Sequence, residues 1–258
     1  MCLVVTGGTQ GLGETIARLA ADSGAAALSI VGRNAERGRK IAESLSANAC
    51  PTHFITADLA EADAPARIIG EAVRKMGRVD GLVNAAGLTD RASIQSATLD
   101  DWEKLFAVNT RAPFFLMQAA VADMQARKAP GSIVNILSIN AHCGAENLTV
   151  YSGSKGALST ITRNVANALL PDRIRVNGIN MGWAATPAEQ IMQGETLGKG
   201  PGWLEEAAAA MPLGRLLTME EVARLAIFLL SESAGLMTGT LIDMEQSVLG
   251  APPRGPAR

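Results

Sequence analysis

Tyr151 and Lys155 lie four residues apart in Tyr-Ser-Gly-Ser-Lys, and Ser138 stands thirteen residues upstream. Four residues make about one helical turn, so on a helix the phenol and the ammonium project from the same face. A tyrosine ionises near pH ~10 and is a poor proton shuttle at neutral pH unless a nearby cation favours its anion. Lys155 could supply part of that effect, and Ser138 could hold a substrate oxygen beside the phenol. The chemistry these three residues could perform is proton exchange at an alcohol or carbonyl oxygen. The same spacing also occurs in ordinary surface pairs, so its meaning depends on the elements that position it.

The N-terminus supplies such an element. Cys2-Leu3-Val4-Val5-Thr6 reads as a buried strand, followed at once by Gly7-Gly8-Thr9-Gln10-Gly11-Leu12-Gly13. A helical pattern then runs from Glu14 to Ser23, with Ile16, Ala17, Leu19 and Ala20 on one face. Strand, glycine turn and helix is the context of a dinucleotide site: glycines let backbone N–H groups approach a pyrophosphate at the positive end of the helix. The spacing here is T-G-x-x-x-G-x-G, not G-x-G-x-x-G.

A chain of 258 residues with 48% hydrophobic residues can bury a large core and fits one α/β domain better than two. Strand-like runs alternate with longer helical stretches, which predicts a doubly wound parallel sheet with helices on both faces. A net charge of −2 gives no basic footprint for nucleic acid. No signal peptide and no apolar run long enough for a membrane span is seen, which predicts a soluble cytoplasmic protein. Cys2, Cys50 and Cys143 are unpatterned, as expected of reduced thiols. Only two histidines, His53 and His142, are present, so no metal site is expected.

With both motifs in hand, the chain resembles the short-chain dehydrogenases/reductases from residue 1 to about residue 248. Further segments match in order. Asp58-Leu59 resembles the pair that contacts adenine, and Asn84-Ala85-Ala86-Gly87 resembles the N-x-A-G turn beneath the cofactor. Asn109 matches the helical asparagine of the proton relay, and Arg175-Val176-Asn177 precedes the loop that caps the nicotinamide. The resemblance implies a single Rossmann-type domain over residues 1–250, with a substrate lid at about 186–212. It implies Tyr151 as general acid/base, Lys155 lowering its pKa and binding the nicotinamide ribose, Ser138 positioning the substrate oxygen, and Asn109 completing the relay. Cofactor contacts would come from Gly7, Thr9, Gln10, Gly11, Leu12, Gly13, Arg33, Asp58, Leu59, Asn84, Ala85, Ala86, Tyr151, Lys155, Met181, Gly182 and Thr186. The first strand begins at Met1, where relatives have several residues before it; a truncated sequence and a late start both fit.

The second strand-like run, Ala27-Leu28-Ser29-Ile30-Val31, ends in Gly32-Arg33-Asn34. Enzymes that prefer NAD place a carboxylate there for the ribose hydroxyls. Arg33 could instead grip a 2′-phosphate, and in the family this signature goes with NADP, so NADP(H) is favoured over NAD(H). Where NADP users often carry a second basic residue in the glycine turn, Gln10 stands. Met181 replaces the proline usual before Gly182 and Thr186, which predicts a floppier loop. Thr238 to Asp243 matches the family's last strand, but Met244-Glu245-Gln246-Ser247 follows in place of Asp-Gly-Gly.

Asn140, His142 and Trp183 are the candidate substrate contacts, and the polar loop beside Ser138 suits a hydroxylated substrate such as a sugar or polyol. A 3-oxoacyl thioester (acyl-carrier-protein) reductase is the alternative within the same chemistry, and a nucleotide-binding regulatory protein without turnover the alternative outside it. Residues 194–202 followed by Trp203-Leu204-Glu205 read as a mobile lid with an amphipathic helix. By resemblance, helices around Trp102–Gln118 and Gly153–Leu170 would form a homotetramer or homodimer interface. The Pro/Gly-rich tail, 251–258, reads as disordered.

Overall fold

Parallel strands cannot be joined by tight turns; each pair needs a crossover of a dozen or more residues. The alternation of short β-branched runs with longer helical ones meets that need. The computed structural model describes residues 1–250, so the expected disorder of the tail lies outside the described residues. Seven strands form one sheet: β1 (Cys2–Thr6), β2 (Ala27–Gly32), β3 (Thr52–Thr56), β4 (Gly81–Asn84), β5 (Gly131–Ile136), β6 (Ile174–Met181) and β7 (Leu241–Met244). Their order is β3-β2-β1-β4-β5-β6-β7, with every neighbouring pair parallel.

The connecting helices are α1 (Gly11–Asp22), α2 (Ala35–Ala47), α3 (Ala64–Met76), α4 (Leu99–Phe106), α5 (Ala112–Ala126), α6 (Thr149–Ala168), α7 (Pro187–Gln190), α8 (Trp203–Ala210) and α9 (Met219–Leu230). Successive strand residues point to opposite faces, and each face has its own core. Leu3, Val5, Leu28, Ile30, Val83 and Val134 pack with Ile16, Ile41 and Val222 of α1, α2 and α9. On the other face Val4, Val31, Leu82, Ile133 and Val176 meet Ile68, Leu116 and Leu158 of α3, α5 and α6. This is the doubly wound sheet expected from the sequence. Strand order reverses between β1 and β4, so the loops leaving their carboxyl ends diverge and open a crevice.

Three local features differ from the expectations. The helix expected over Trp102–Gln118 is split by a π-helical turn, Ala107–Arg111, with Ala112 N–H donating to the Ala107 carbonyl. Pro113 has no N–H for the Asn109 carbonyl, so the ladder shifts there. The last strand begins at Leu241, not Thr238, because Gly239 takes a left-handed backbone (φ 69°) that no strand continues through. Met181 stands in a strand rather than in the loop: it is the last residue of β6, paired with Met244, and Gly182 N–H donates to the Met244 carbonyl at 2.8 Å.

Arg175 fixes the C-terminal segment to the sheet. Where α9 ends, its guanidinium donates to the carbonyls of Leu229 (2.7 Å), Leu230 (3.3 Å) and Ser231 (2.9 Å), and also to Met237 (3.4 Å). The helix dipole favours a cation there. Two residues along, Asn177 donates to the Met237 carbonyl and accepts from Thr240 N–H. Arg175→Ala is expected to cost about 2 kcal/mol or more, read by urea unfolding, because several carbonyls lose a charged donor at once. Arg175→Lys should restore only part of it, since a point charge cannot serve the same fork.

Candidate active site

The glycine turn owes its shape to two left-handed residues, Gly7 (φ 68°) and Gly11 (φ 54°). A side chain at Gly13 would put its Cβ 2.3 Å from the Gly7 carbonyl oxygen, so only glycine lets α1 start against the end of β1. Gln10 precedes α1 without capping it by a side-chain hydrogen bond. The uncapped positive end of α1 therefore fits a phosphate. Gln10 Oε1 instead accepts from Arg37 Nη1 of α2. At the end of β2, a Cβ on Gly32 would meet Thr9 Oγ1 at 2.5 Å, leaving no room for a carboxylate-bearing residue. Arg33 lies on the cavity wall beside it and makes no hydrogen bond or ion pair among the described residues.

A cavity of about 670 Å³ runs from this turn, past the end of β5, to the lid segment. Among the residues expected from sequence, Asn84, Asn109 and His142 do not line it; the others do. Asn84 lies beneath the floor: its Nδ2 donates to Asn135 Oδ1 at 2.8 Å, and Asn135 Nδ2 donates to Thr162 Oγ1 at 2.9 Å. Thr6 Oγ1 accepts from the N–H groups of both Ala85 and Ala86 (3.1 and 3.2 Å), which holds the turn after β4 against β1.

Tyr151 and Lys155 occupy consecutive turns of α6, and both are buried. The Ser138 hydroxyl lies beside the Tyr151 phenol and accepts from Asn140 N–H at 3.2 Å. Burial raises the phenol pKa above the ordinary tyrosine value; the Ser138 hydroxyl opposes that shift, Glu189 adds to it, and Arg91 opposes it. Lys155 Nζ donates to the Ile136 carbonyl at 2.8 Å, and burial lowers its pKa to about 8. The ammonium is thus a weakened cation held at the end of β5. A Cβ on Gly87 would contact Lys155 Nζ at 3.4 Å and Asn109 Oδ1 at 3.5 Å, so these two groups flank the same small space.

The π turn presents Asn109 to the loop after β4. Its amide accepts from Leu88 N–H and donates to the Leu88 carbonyl (both 2.9 Å) and to Ser154 Oγ (3.1 Å). Ser154 in turn donates to the Tyr151 carbonyl, so α6 and the π turn are locked together. Ser154 carried no sequence signal, because its role depends on a contact across the fold.

On the substrate side, Asn140 and Trp183 line the cavity, whereas His142 turns away to Asp243 (3.1 Å) and Asn180 (3.3 Å). Sequence reasoning missed Arg91, Glu189 and Gln193, which line the cavity from two separate segments. The expected lid consists of α7, a π turn at Ile191–Thr196, and α8, and it has its own small core of Trp203, Ala207 and Leu216. Trp203 Nε1 donates to Gln190 Oε1 at 2.7 Å, tying α8 back to α7.

Comparison with known proteins agrees with this geometry. The family model described as Enoyl-(Acyl carrier protein) reductase matches residues 7–246. A probable galactose dehydrogenase of Rhizobium meliloti is 33% identical over 252 residues, covering 95% of this chain and 94% of the relative. The 3-oxoacyl-[acyl-carrier-protein] reductase of Chlamydia pneumoniae is 30% identical, covering 94% of each. Among solved structures, an NADPH-dependent reductase involved in bacilysin biosynthesis superposes with a TM-score of 0.88 at 26% identity, covering 97% of this chain and 99% of that one. A glycine turn at the N-terminus of α1, a buried Ser-Tyr-Lys set at the end of β5, and relatives matched along nearly their whole length have one reading: the chain belongs to the short-chain dehydrogenase/reductase family of oxidoreductases.

Proposed function

We propose that this protein interconverts a small polar alcohol and its ketone with NADP(H). The observation that carries the reading is the convergence of Ser138, Tyr151 and Lys155 at one end of a cavity whose other end fits a phosphate-bearing nucleotide. The residues that would hold the nucleotide are the Gly7–Gly13 turn, Arg33, Asp58, Leu59, Ala85, Ala86, Lys155 and the Met181–Thr186 segment. A bound nicotinamide supplies or accepts the hydride; the chain holds the substrate oxygen and moves its proton. Ser138 and Tyr151 hydrogen-bond that oxygen. In reduction, negative charge builds on it and Tyr151 gives up its proton. A phenol with a raised pKa is fully protonated at neutral pH and ready for that role. In oxidation Tyr151 must first lose its proton, so the alcohol reaction gains rate as pH rises.

NADP(H) rather than NAD(H) is supported by the closed space at Gly32, by Arg33, and by the cofactor named for the solved NADPH-dependent reductase. Arg37, held on Gln10, brings a second guanidinium to the place where the glycine turn has no basic residue. The galactose dehydrogenase relative and the polar loop after Ser138 favour a sugar or polyol. The acyl-carrier-protein reductase relative and the matching family description favour the second reading, a 3-oxoacyl thioester. Half-exposed Trp102, stacked on Phe106, and exposed Phe115 support assembly into a homodimer or homotetramer through the α4–α5 face. Three unpaired cysteines fit a reducing, cytoplasmic setting.

Tyr151→Phe should lower turnover at least about 10²-fold while nucleotide still binds, measured by steady-state kinetics and nucleotide titration; near wild-type turnover would overturn the assignment. Arg33→Ala should reduce the preference for NADP over NAD about tenfold or more in kcat/KM, the loss of one charge-assisted phosphate contact. Lys155 makes a pH prediction. Its folded pKa of about 8 lies below the ordinary 10.5, so between those values the unfolded chain binds the extra proton and stability rises with pH. Below pH 8 the buried charge costs the fold about 3 kcal/mol, from about 2.5 pH units at about 1.4 kcal/mol each. Denaturant unfolding across that window should show the dependence in the wild type and its loss in Lys155→Met.

A further inference from the structure

Resting on the hydride-transfer reading above, we propose that Glu189, set by Arg91 and Gln193, anchors a second hydroxyl of the substrate, so that the cavity selects diols and polyols over molecules with one oxygen function. Glu189 lies on α7 and lines the same cavity as Ser138 and Tyr151. Three donors converge on its Oε1: Gln193 Nε2 at 2.7 Å, Trp183 Nε1 at 3.0 Å and, across the cavity, Arg91 Nη2 at 3.5 Å. Its backbone N–H is fixed as well, donating to Thr186 Oγ1 at 3.1 Å. The carboxylate cannot turn without breaking several of these contacts.

Glu189 Oε2 accepts no hydrogen bond among the described residues, and it is not among the fully buried polar atoms that lack one. It is therefore an oriented acceptor with a free lone pair in a cavity that also holds the reacting oxygen. Gln193, 5% exposed, holds the carboxylate through its Nε2, while its own Oε1 is closed to solvent, so Glu189 Oε2 is the acceptor a ligand can reach. Hydroxyl groups donate to such an oxygen, while a monofunctional ketone or an acyl chain offers no donor. Charge separates the remaining candidates. Arg91 is already committed to Glu189 and to the Thr89 carbonyl, at 3.0 Å, so a substrate carboxylate would meet Glu189 along with it. A neutral hydroxyl donor fits Glu189 Oε2.

The probes are cyclohexanol, the cyclohexanediol isomers and a hydroxycyclohexanecarboxylate, assayed with NADP and NAD, and a 3-oxoacyl thioester, assayed with the reduced cofactors. The wild type should favour at least one diol over cyclohexanol by about tenfold or more in kcat/KM. Glu189→Gln keeps an acceptor for the three donors but replaces the free oxygen with an amide that cannot accept. It should lower the diol-to-cyclohexanol ratio about tenfold or more, mainly through KM. A wild type with no diol preference, or a preference for the carboxylate, would overturn the inference without the variant and leave hydride transfer standing. A variant that loses both substrates in equal proportion would also overturn it, marking Glu189 as a lid latch alone. Turnover of none of the probes, or of 3-oxoacyl thioesters only, would overturn the inference together with the polar-substrate reading.

Discussion

A line of hydrogen bonds buried between the carboxyl ends of β1, β4 and β5 sets the position of everything the site uses. Thr6 holds the turn after β4, and Asn84 faces Asn135 in parallel register and bonds to it; Asn135 reaches Thr162 on α6. All of these side chains are buried, where an unpaired amide or hydroxyl is costly, so the three strands and α6 are held in one registration. Because the strands are parallel, their loops leave from the same edge. The Gly7–Gly13 turn, the Ala85–Ala86 turn and Ser138 therefore reach one cavity.

The Ser138, Tyr151 and Lys155 side chains are placed on that frame at a cost. Tyr151 and Lys155 are buried on α6, and burial works against the charged form of each: the phenol resists ionisation and the ammonium loses part of its hold on its proton. The fold compensates locally, with the Ser138 hydroxyl on the phenol and the Ile136 carbonyl on the ammonium. The π turn serves the same end, aiming Asn109 at Leu88 and Ser154 so that the loop after β4 and α6 move as one body. Low dielectric strengthens every one of these contacts and penalises any that is missing.

The segment expected to form a lid is fastened at two places. Buried Trp203 gives it a core, and the Glu189 cluster ties it to the Arg91 loop. Arg175 and Asn177, near the start of β6, fasten the end of α9 and the segment leading into β7 to that strand. Met181 closes β6 as the strand partner of Met244.

Local patterns in the sequence determined the doubly wound sheet, the glycine turn and the Ser138-Tyr151-Lys155 set. Hydrophobic period, glycine spacing and a four-residue helical step all act between near neighbours, and they are legible along the chain. Only the tertiary structure decided that His142 faces Asp243 rather than the cavity, that Arg37 reaches Gln10, and that Arg91, Glu189 and Gln193 meet across the substrate space. It also decided that Pro113 would produce a π turn rather than a break, because α4 and α5 had packing to keep on both sides of it. These contacts join segments far apart in sequence, and their partners are selected by which loops the parallel sheet brings to a common edge. No periodicity within one segment carries that information.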